Sequence, residues 1–268
     1  MKRNDYKHKN LESSMQKLNK RGQLTIFIIV AIVILAVVLV ILFYPKIKTV
    51  ISGDLNPNAY LKSCIEPVIE PNLDLLSRQG GYLNPEGFLY YNDTRIKLLC
   101  YTPEFYKTCV VQQPMIKAHV EQELTKVVAE KTKTCMDNLK SEYESRGYSV
   151  QVGKGDYKVE IVPGNILINF NMPFTVTQET TQTYKSFSAE INSNMYDLLM
   201  IAQNIVEFES TLGDSETLLY MQYYPDLRID KTKLSDGTKV YTITDVVTKE
   251  SFTFASRSLS WPPGYGIK

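Results

Sequence analysis

The side chains that most often carry out chemistry are sparse in this sequence. Its 268 residues include two histidines, His8 and His119. A catalytic triad would have to use His119, and the chain contains no GxSxG nucleophile motif. The charged neighbours Lys117, Glu121 and Glu123 indicate a solvated helix face around it. We therefore predict no catalytic residue, and we expect that the protein is not an enzyme.

Phosphate-binding, acid-base and metal-binding patterns give no stronger signal. Residues 153–155 read Gly-Lys-Gly, which lacks the spacing of a nucleotide-binding loop and predicts a hairpin turn. Glu121 with Glu123, and Glu207 with Glu209, lie two residues apart, and such positions on a helix do not face each other. No CxxC pair is present, and no histidine lies at metal-ligand spacing from a cysteine. The sequence predicts no metal site and no cofactor.

An apolar run dominates the N-terminal part of the chain. Leu24 to Tyr44 contains no charged residue and would span about 30 Å as a helix, the thickness of a bilayer core. Seven lysines and arginines precede the run, whereas only Lys46 and Lys48 follow it closely. The positive-inside rule then predicts a cytoplasmic N-terminus and an extracytoplasmic segment from residue 45 onward. We expect a single-pass protein of the cell membrane that contacts the lipid bilayer through Leu24 to Tyr44.

The residues just before this run carry a resemblance. Lys20, Arg21, Gly22 and Gln23 resemble the class III signal peptide of archaeal type IV pilin-like proteins. That resemblance implies that a dedicated peptidase cuts between Gly22 and Gln23 and that the apolar helix is retained. Phe27 stands where many bacterial-type pilins carry glutamate, and Pro45 would end the helix early. An anchored protein is therefore favoured over a filament subunit, which stays the alternative.

All four cysteines follow the apolar run. An even number of cysteines in an extracytoplasmic segment favours disulfide bonds, and four cysteines allow three pairings. We favour Cys100 with Cys109 across a short loop. The other pair, Cys64 with Cys135, would staple the first helix after the membrane to a long helix. Free buried thiols are the alternative.

Periodicity after the apolar run predicts an α+β fold: one N-terminal transmembrane helix followed by an extracytoplasmic domain with a long helix and antiparallel hairpins or a meander. Pro67 and Pro71 should kink or divide the first soluble helix. The predicted helices cover residues 60–79, 114–146 and 193–213, with a short turn at 218–224. The predicted strands cover 88–91, 96–101, 105–111, 148–152, 157–162, 166–176, 183–191, 227–234, 239–247 and 251–259. The predicted divisions are a basic cytoplasmic leader (1–22), a membrane helix (23–44), a connector (45–59), a disulfide-stapled helical part with a small hairpin (60–147) and a β-rich part with one helix (148–268).

Tyrosine is the one residue type in excess, with 18 copies. Tyr220, Tyr223 and Tyr224 form a local cluster that would suit a binding surface, although tyrosines in strands are also structural. Asn92 opens an Asn-Asp-Thr glycosylation sequon on the tip of a predicted hairpin. Trp261 begins a proline-rich tail, which is either a docking segment or a frayed end.

Net charge argues against a nucleic-acid partner, because 30 basic residues nearly balance 29 acidic ones. We therefore expect a structural or recognition role in the cell envelope, with other envelope proteins or like subunits as partners. Two alternatives stay open. One is a pilin-like filament subunit processed after Gly22, and the other is an envelope enzyme whose site is assembled from scattered residues.

Overall fold

The computed structural model describes residues 30–35 and 55–262. The chain divides into two units, Met1–Asp54 and Leu55–Lys268. Residues 30–35 are helical in the first unit. All other described elements lie in the second unit, whose strands and helices share one main hydrophobic core.

The predicted fold class needs one correction. Helices and antiparallel hairpins make the second unit α+β, but among residues 30–35 and 55–262 no helix is long and apolar enough to cross a membrane. The long helices there carry charged residues along their exposed sides, which excludes a span of about 20 apolar residues. Of the predicted segment Leu24 to Tyr44, all but residues 30–35 lies outside the described part of the chain.

The first helix of the second unit, α1, covers Pro57–Arg78. Asn56 caps it, because its side-chain oxygen accepts a hydrogen bond from the Asn58 backbone N–H at 3.0 Å. Pro67 and Pro71 were predicted to kink or divide this helix, and division is excluded because the helix runs through both of them. Its apolar face stays buried against the next helix, and that packing holds the backbone where two N–H groups are missing.

The long helix α2 covers Ile116–Ser145, and the apolar residues that recur along it at helical spacing are buried, among them Ile116, Val120, Leu124 and Val128. Its Cys135 forms a disulfide with Cys64 of α1, with an S–S distance of 2.01 Å. The second disulfide joins Cys100 to Cys109. Both favoured pairings are therefore confirmed.

Six strands form the larger sheet. Their bounds are β1 Phe88–Tyr91, β2 Thr94–Tyr101, β3 Val110–Val111, β10 Leu227–Lys233, β11 Thr238–Asp245 and β12 Ser251–Arg257. The order is β1-β2-β12-β11-β10, with β3 paired to β2. Strand β2 lies parallel to β12, whereas the other pairs are antiparallel. This parallel pair joins parts of the chain from both sides of residue 147.

The other six strands form two three-stranded sheets that continue one another across a bend, as one three-stranded ribbon. Their bounds are β4 Ser149–Val152, β5 Asp156–Val162, β6 Asn165–Asn171, β7 Phe174–Thr177, β8 Thr181–Tyr184 and β9 Phe187–Asn192. Beyond the bend, β7 lies between β4 and β8, and before it β6 lies between β5 and β9. The predicted long strands 166–176 and 183–191 are thus each divided at this bend.

The predicted hairpin turn at residues 153–155 is wrong. Val152 pairs with Phe174 and Asp156 pairs with Asn171, so three residues on one strand face two on the other. The chain therefore bends through a bulge and continues in the same direction. A side chain at Gly155 would place its Cβ 2.1 Å from the Asn171 carbonyl oxygen, so only glycine fits this approach.

Helix α3 covers Met195–Leu212 and packs on β11 and β12. It ends at Gly213 in the left-handed conformation, as predicted. The short helix α4 covers Thr217–Tyr223 and packs on β10, the strand at one edge of the larger sheet. Between α3 and the sheet, Tyr241, Phe252 and Phe254 are fully buried.

Candidate functional site

The three tyrosines singled out in the sequence line one groove. Tyr220 and Tyr223 lie three residues apart on α4, so they project from the same side of the helix. Tyr224 follows at the end of the helix, and the groove beside them has a volume of about 440 Å³. Four further lining residues were not predicted from the sequence, namely Phe208, Ser215, Glu216 and Leu219. We call this feature the tyrosine groove.

The tyrosine groove is lined mainly by apolar surface that faces solvent. Tyr223 is 79% exposed and Tyr224 is 56% exposed, and Phe208 and Leu219 also face solvent. Continuous apolar surface of this kind marks an interaction site more often than a neutral part of a monomer. Aromatic rings suit such a site because they supply large rigid contact area.

Several hydrogen bonds fix α4 in place. Glu216 caps the helix by accepting a hydrogen bond from the Leu218 N–H at 3.2 Å. The Ile229 N–H of β10 donates to the Met221 sulfur at 3.3 Å, and Lys231 Nζ donates to the Ser215 carbonyl oxygen at 2.8 Å. The tyrosines therefore project from an anchored element.

The segment that supplies the lining residues of the tyrosine groove carries charge of one sign. Residues 186–227 contain no lysine or arginine, and they contain seven acidic residues. Glu207, Glu216 and Asp226 are exposed, and Glu216 lines the groove itself. This basic-free stretch was a readable signal in the sequence that the charge count of the whole chain concealed.

Burial changes the chemistry of Tyr220. Removal from water raises the pKa of its hydroxyl above the ordinary value of 10.0, and the negative charge of Glu207 also raises it. Like any tyrosine with a pKa of 10 or higher, Tyr220 is protonated at physiological pH, and its hydroxyl can donate a hydrogen bond. An aromatic ring with a donating hydroxyl is well suited to recognition.

A buried ion pair lies between α3 and the sheet. Glu209 and Lys239 are both almost fully buried, and Lys239 Nζ is 2.6 Å from Glu209 Oε2. The other carboxylate oxygen accepts hydrogen bonds from the Tyr241 hydroxyl at 2.5 Å and the Ser215 N–H at 3.0 Å. Burial and the negative charge of Glu209 raise the pKa of Tyr241. These partners satisfy the pair and indicate a structural role.

Asp214, in the loop between α3 and α4, contacts three lysines. Lys231, Lys233 and Lys239 lie 2.5, 2.9 and 3.2 Å from its oxygens. Burial on its own would raise the pKa of this carboxyl, but the hydrogen bonds from the lysines hold the pKa well below its usual 3.8. Ion pairs between Asp214 and the three lysines therefore fix the loop that leads into α4.

His119 does not lie on a solvated helix face, which corrects the sequence prediction. Its ring packs on Tyr82 with ring centroids 3.9 Å apart, and burial lowers its pKa. Glu123 is buried and accepts a hydrogen bond from the Leu83 N–H at 3.2 Å. The helix face is covered by the 79–87 loop.

The Cys100–Cys109 disulfide braces the end of the described chain. The Cys109 N–H donates a hydrogen bond to Ser258 Oγ at 3.0 Å, and Ser258 Oγ donates to the Glu209 carbonyl oxygen at 2.6 Å. The disulfide therefore connects β2 to α3 through the residues after β12.

The remaining predicted positions lie apart from the tyrosine groove. Asn92 is exposed on the turn between β1 and β2, at the opposite edge of the larger sheet from β10. Arg21, Gly22 and Gln23 of the predicted processing site lie outside the described residues. In the described ranges 30–35 and 55–262, no group of three or more His, Cys, Asp or Glu side chains is placed to hold a metal ion.

Comparisons with protein-family models, with curated proteins and with solved structures find no match to this chain.

Proposed function

We propose that this chain is a recognition protein of the cell envelope, and that its tyrosine groove binds a cationic amphipathic segment of a partner protein. The observation that carries the proposal is the tyrosine groove, where exposed aromatic and aliphatic side chains meet an acidic rim of two residues: Glu216, which lines the groove, and Glu207, whose charge acts on Tyr220. The role is binding, without a catalytic step.

The occupant must match both features of the groove. Its apolar side chains would cover Tyr223, Tyr224 and Leu219, which releases water from the apolar surface. Its lysines or arginines would lie near Glu207 and Glu216, which are exposed. An amphipathic helix with apolar residues on one side and basic residues on the other satisfies both requirements.

A lipid surface fits the groove less well. Aromatic side chains can lie at a membrane interface, but exposed carboxylates are repelled by anionic headgroups. The acidic rim therefore favours a basic protein segment over a bilayer. A vesicle that contains anionic lipid becomes a direct comparison in the test below.

The extracytoplasmic location in this proposal rests on two supports. Two disulfides in one compact unit are typical of an oxidising compartment. The excess of basic residues before the apolar sequence Leu24 to Tyr44 predicts that the segment after it faces outward. Placement at the cell membrane remains a prediction from the sequence.

Peptide binding to the full chain in detergent tests the proposal. The probe is a fluorescently labelled amphipathic helical peptide with leucine and phenylalanine on one side and lysine on the other, followed by anisotropy. We expect saturable binding that weakens by about tenfold or more in Tyr223→Ala/Tyr224→Ala, because both rings are exposed contacts. The matched control is Tyr90→Ala, which removes an exposed tyrosine from the opposite edge of the sheet.

Three results would overturn the proposal. The first is an absence of saturable binding by the wild-type chain. The second is equal weakening by Tyr90→Ala, which would show that any exposed tyrosine matters. The third is tighter association of the chain with anionic vesicles than with the peptide, provided that the same two tyrosines control it, which would assign the groove to the membrane.

A further inference from the structure

A second concave site lies where residues 258–261 cross the turn between β10 and β11. Its volume is about 250 Å³, and its walls include Asp214, Lys233, Ser260 and Trp261. We call it the tryptophan pocket. It shares no lining residue with the tyrosine groove.

Trp261 forms an exposed aromatic wall of this pocket. The side chain is 68% exposed, and Tyr106 packs edge-on against it with ring centroids 5.4 Å apart. The Tyr106 N–H also donates a hydrogen bond to the Ser260 carbonyl oxygen at 2.9 Å. Tyr106 therefore holds the Trp261 ring in a position where it is exposed to solvent.

The opposite side of the pocket is polar. Asp214 and Lys233 line it, and Lys233 Nζ lies 2.9 Å from an Asp214 oxygen. Both side chains are partly exposed, so their remaining donors and acceptors are available to a ligand. They provide one carboxylate and one ammonium group side by side.

Ser260 gives an independent sign of a ligand. Its side chain lines the pocket and is only 2% exposed, and its hydroxyl has no hydrogen-bond partner among the described residues. A buried hydroxyl without a partner is uncommon, because the desolvated group is costly. A hydroxyl of a ligand would supply the partner after a rotation of the Ser260 side chain.

The backbone around the pocket is shaped for close approach. Gly237 has φ of +84°, and a Cβ at this position would lie 2.4 Å from the Ser260 Cβ. The turn and the segment after β12 can therefore touch only because residue 237 is glycine. The hydrogen bond from the Cys109 N–H to Ser258 Oγ fixes the same segment from the other side.

The charges in the pocket select the ligand class. The pocket presents charges of both signs: the Asp214 carboxylate and the Lys233 ammonium face it, and the buried Lys239 is paired with Glu209. An anion would meet Asp214, and a cation would meet Lys233. A purely apolar ligand would desolvate both charges without offering hydrogen bonds. A neutral molecule rich in hydroxyl groups is favoured.

We propose that the tryptophan pocket binds a hexose unit of a neutral glycan. The C–H face of a hexose is apolar and can cover the ring of Trp261, while its hydroxyls donate to Asp214 and accept from Lys233. Another hydroxyl pairs with Ser260. This combination of one aromatic face and several polar groups that fix orientation is the general pattern of a small-molecule site.

The chain carries its own reporter for this binding. Trp261 is the only tryptophan, so intrinsic tryptophan fluorescence comes from the pocket alone. We would titrate the full chain in detergent with three neutral trisaccharides, namely maltotriose, cellotriose and mannotriose. The proposal predicts a saturable change in emission with at least one of them. No response to any of the three would overturn it.

Variants that retain Trp261 distinguish binding in the pocket from an effect of solvent on the indole. Lys233→Met and Ser260→Ala should each weaken binding of the responding trisaccharide by about tenfold, since each removes a hydrogen bond between the pocket and the sugar. The matched control is Arg228→Met, an exposed cation on the same strand that does not line the pocket. Equal weakening by Arg228→Met, or unchanged affinity in both pocket variants, would overturn the proposal.

Failure of glycan binding can be distinguished from failure of peptide binding at the tyrosine groove. Tyr223→Ala/Tyr224→Ala should leave the trisaccharide response unchanged, because neither residue lines the tryptophan pocket. A response of the same size to glycerol at equal mass concentration would indicate an effect of solvent on the indole, and that result would also overturn the proposal.

Discussion

Lys239 Nζ lies 2.6 Å from the Glu209 Oε2 atom, and both side chains are almost fully buried. The pair connects β11 to the last turn of α3, directly before the loop that leads to the tyrosine groove. The Glu209 carboxylate also accepts hydrogen bonds from the Tyr241 hydroxyl, the Ser215 N–H and the Ser256 hydroxyl. The position of α4 therefore depends on a polar contact inside the core.

Removal of one partner from this pair should be strongly destabilising. Lys239→Met keeps a similar volume but leaves Glu209 buried without its ammonium, and we expect a loss of about 3 to 5 kcal/mol in the free energy of unfolding. Denaturant unfolding measures this loss. Arg228→Met, which breaks an exposed pair with Asp230, should cost about 1 kcal/mol or less. Similar losses in the two variants would contradict the structural role of the buried pair.

The lysines around Asp214 predict a pH dependence of stability. Because the folded pKa of Asp214 lies below its usual 3.8, the carboxylate contributes stability fully at higher pH and loses that contribution as the pH falls through the folded pKa. Asp214→Asn should therefore be less stable than the wild type at neutral pH, with the difference shrinking in acid below about pH 4. Unfolding measured across acidic pH checks this. A difference that stays constant with pH would contradict it.

The two disulfides should contribute unequally. Cys64–Cys135 joins residues 71 positions apart, whereas Cys100–Cys109 joins residues 9 apart. The loop-entropy relation gives about 4 kcal/mol for the longer loop and about 3 kcal/mol for the shorter one. Cys64→Ala/Cys135→Ala should thus destabilise the chain more than Cys100→Ala/Cys109→Ala. Denaturant unfolding of the two double variants compares them, and the reverse order would show that local packing outweighs loop closure.

The bend of the three-stranded ribbon makes a sharp prediction at Gly155. Gly155→Ala would force a Cβ against the Asn171 carbonyl oxygen and should cost about 1 to 3 kcal/mol. Lys154→Ala changes an exposed neighbour and should stay within about 0.5 kcal/mol. Thermal unfolding of the two variants distinguishes them. Equal stability would mean that the backbone does not approach this closely.

Helical periodicity and loop spacing predicted much of the second unit. The buried side of α2 and the end of α3 at Gly213 agree with the sequence patterns, because a helix face repeats every few residues and is visible locally. Both disulfide pairings also agree. These features depend mainly on residues that are close in sequence or on a few cysteines.

Features that depend on distant residues were not predicted. The parallel pairing of β2 with β12 joins segments far apart in the chain, and no local pattern specifies it. Gly153 and Gly155 suit a hairpin turn and a bulge equally well, so composition could not distinguish the two structures. His119 was expected to face solvent because the loop that covers it leaves no periodic signal.

Part of the tyrosine groove could be predicted from the sequence. The cluster of Tyr220, Tyr223 and Tyr224 was visible, because the three residues are neighbours in the chain. Phe208 comes from α3, and its position beside the tyrosines requires the packing of α3 and α4 on the sheet. The acidic rim was visible only in a local charge count.

Reversal of the charge around the tyrosine groove tests the central claim most directly. The full chain and its Glu207→Lys/Glu216→Lys variant would each be titrated with the lysine-bearing amphipathic peptide and with a matched peptide in which glutamate replaces every lysine. We predict that the wild type prefers the lysine peptide, that the variant prefers the glutamate peptide, and that both preferences shrink with added salt. An unchanged preference in the variant, or equal affinity of the wild type for both peptides, would contradict recognition of a cationic partner by this groove.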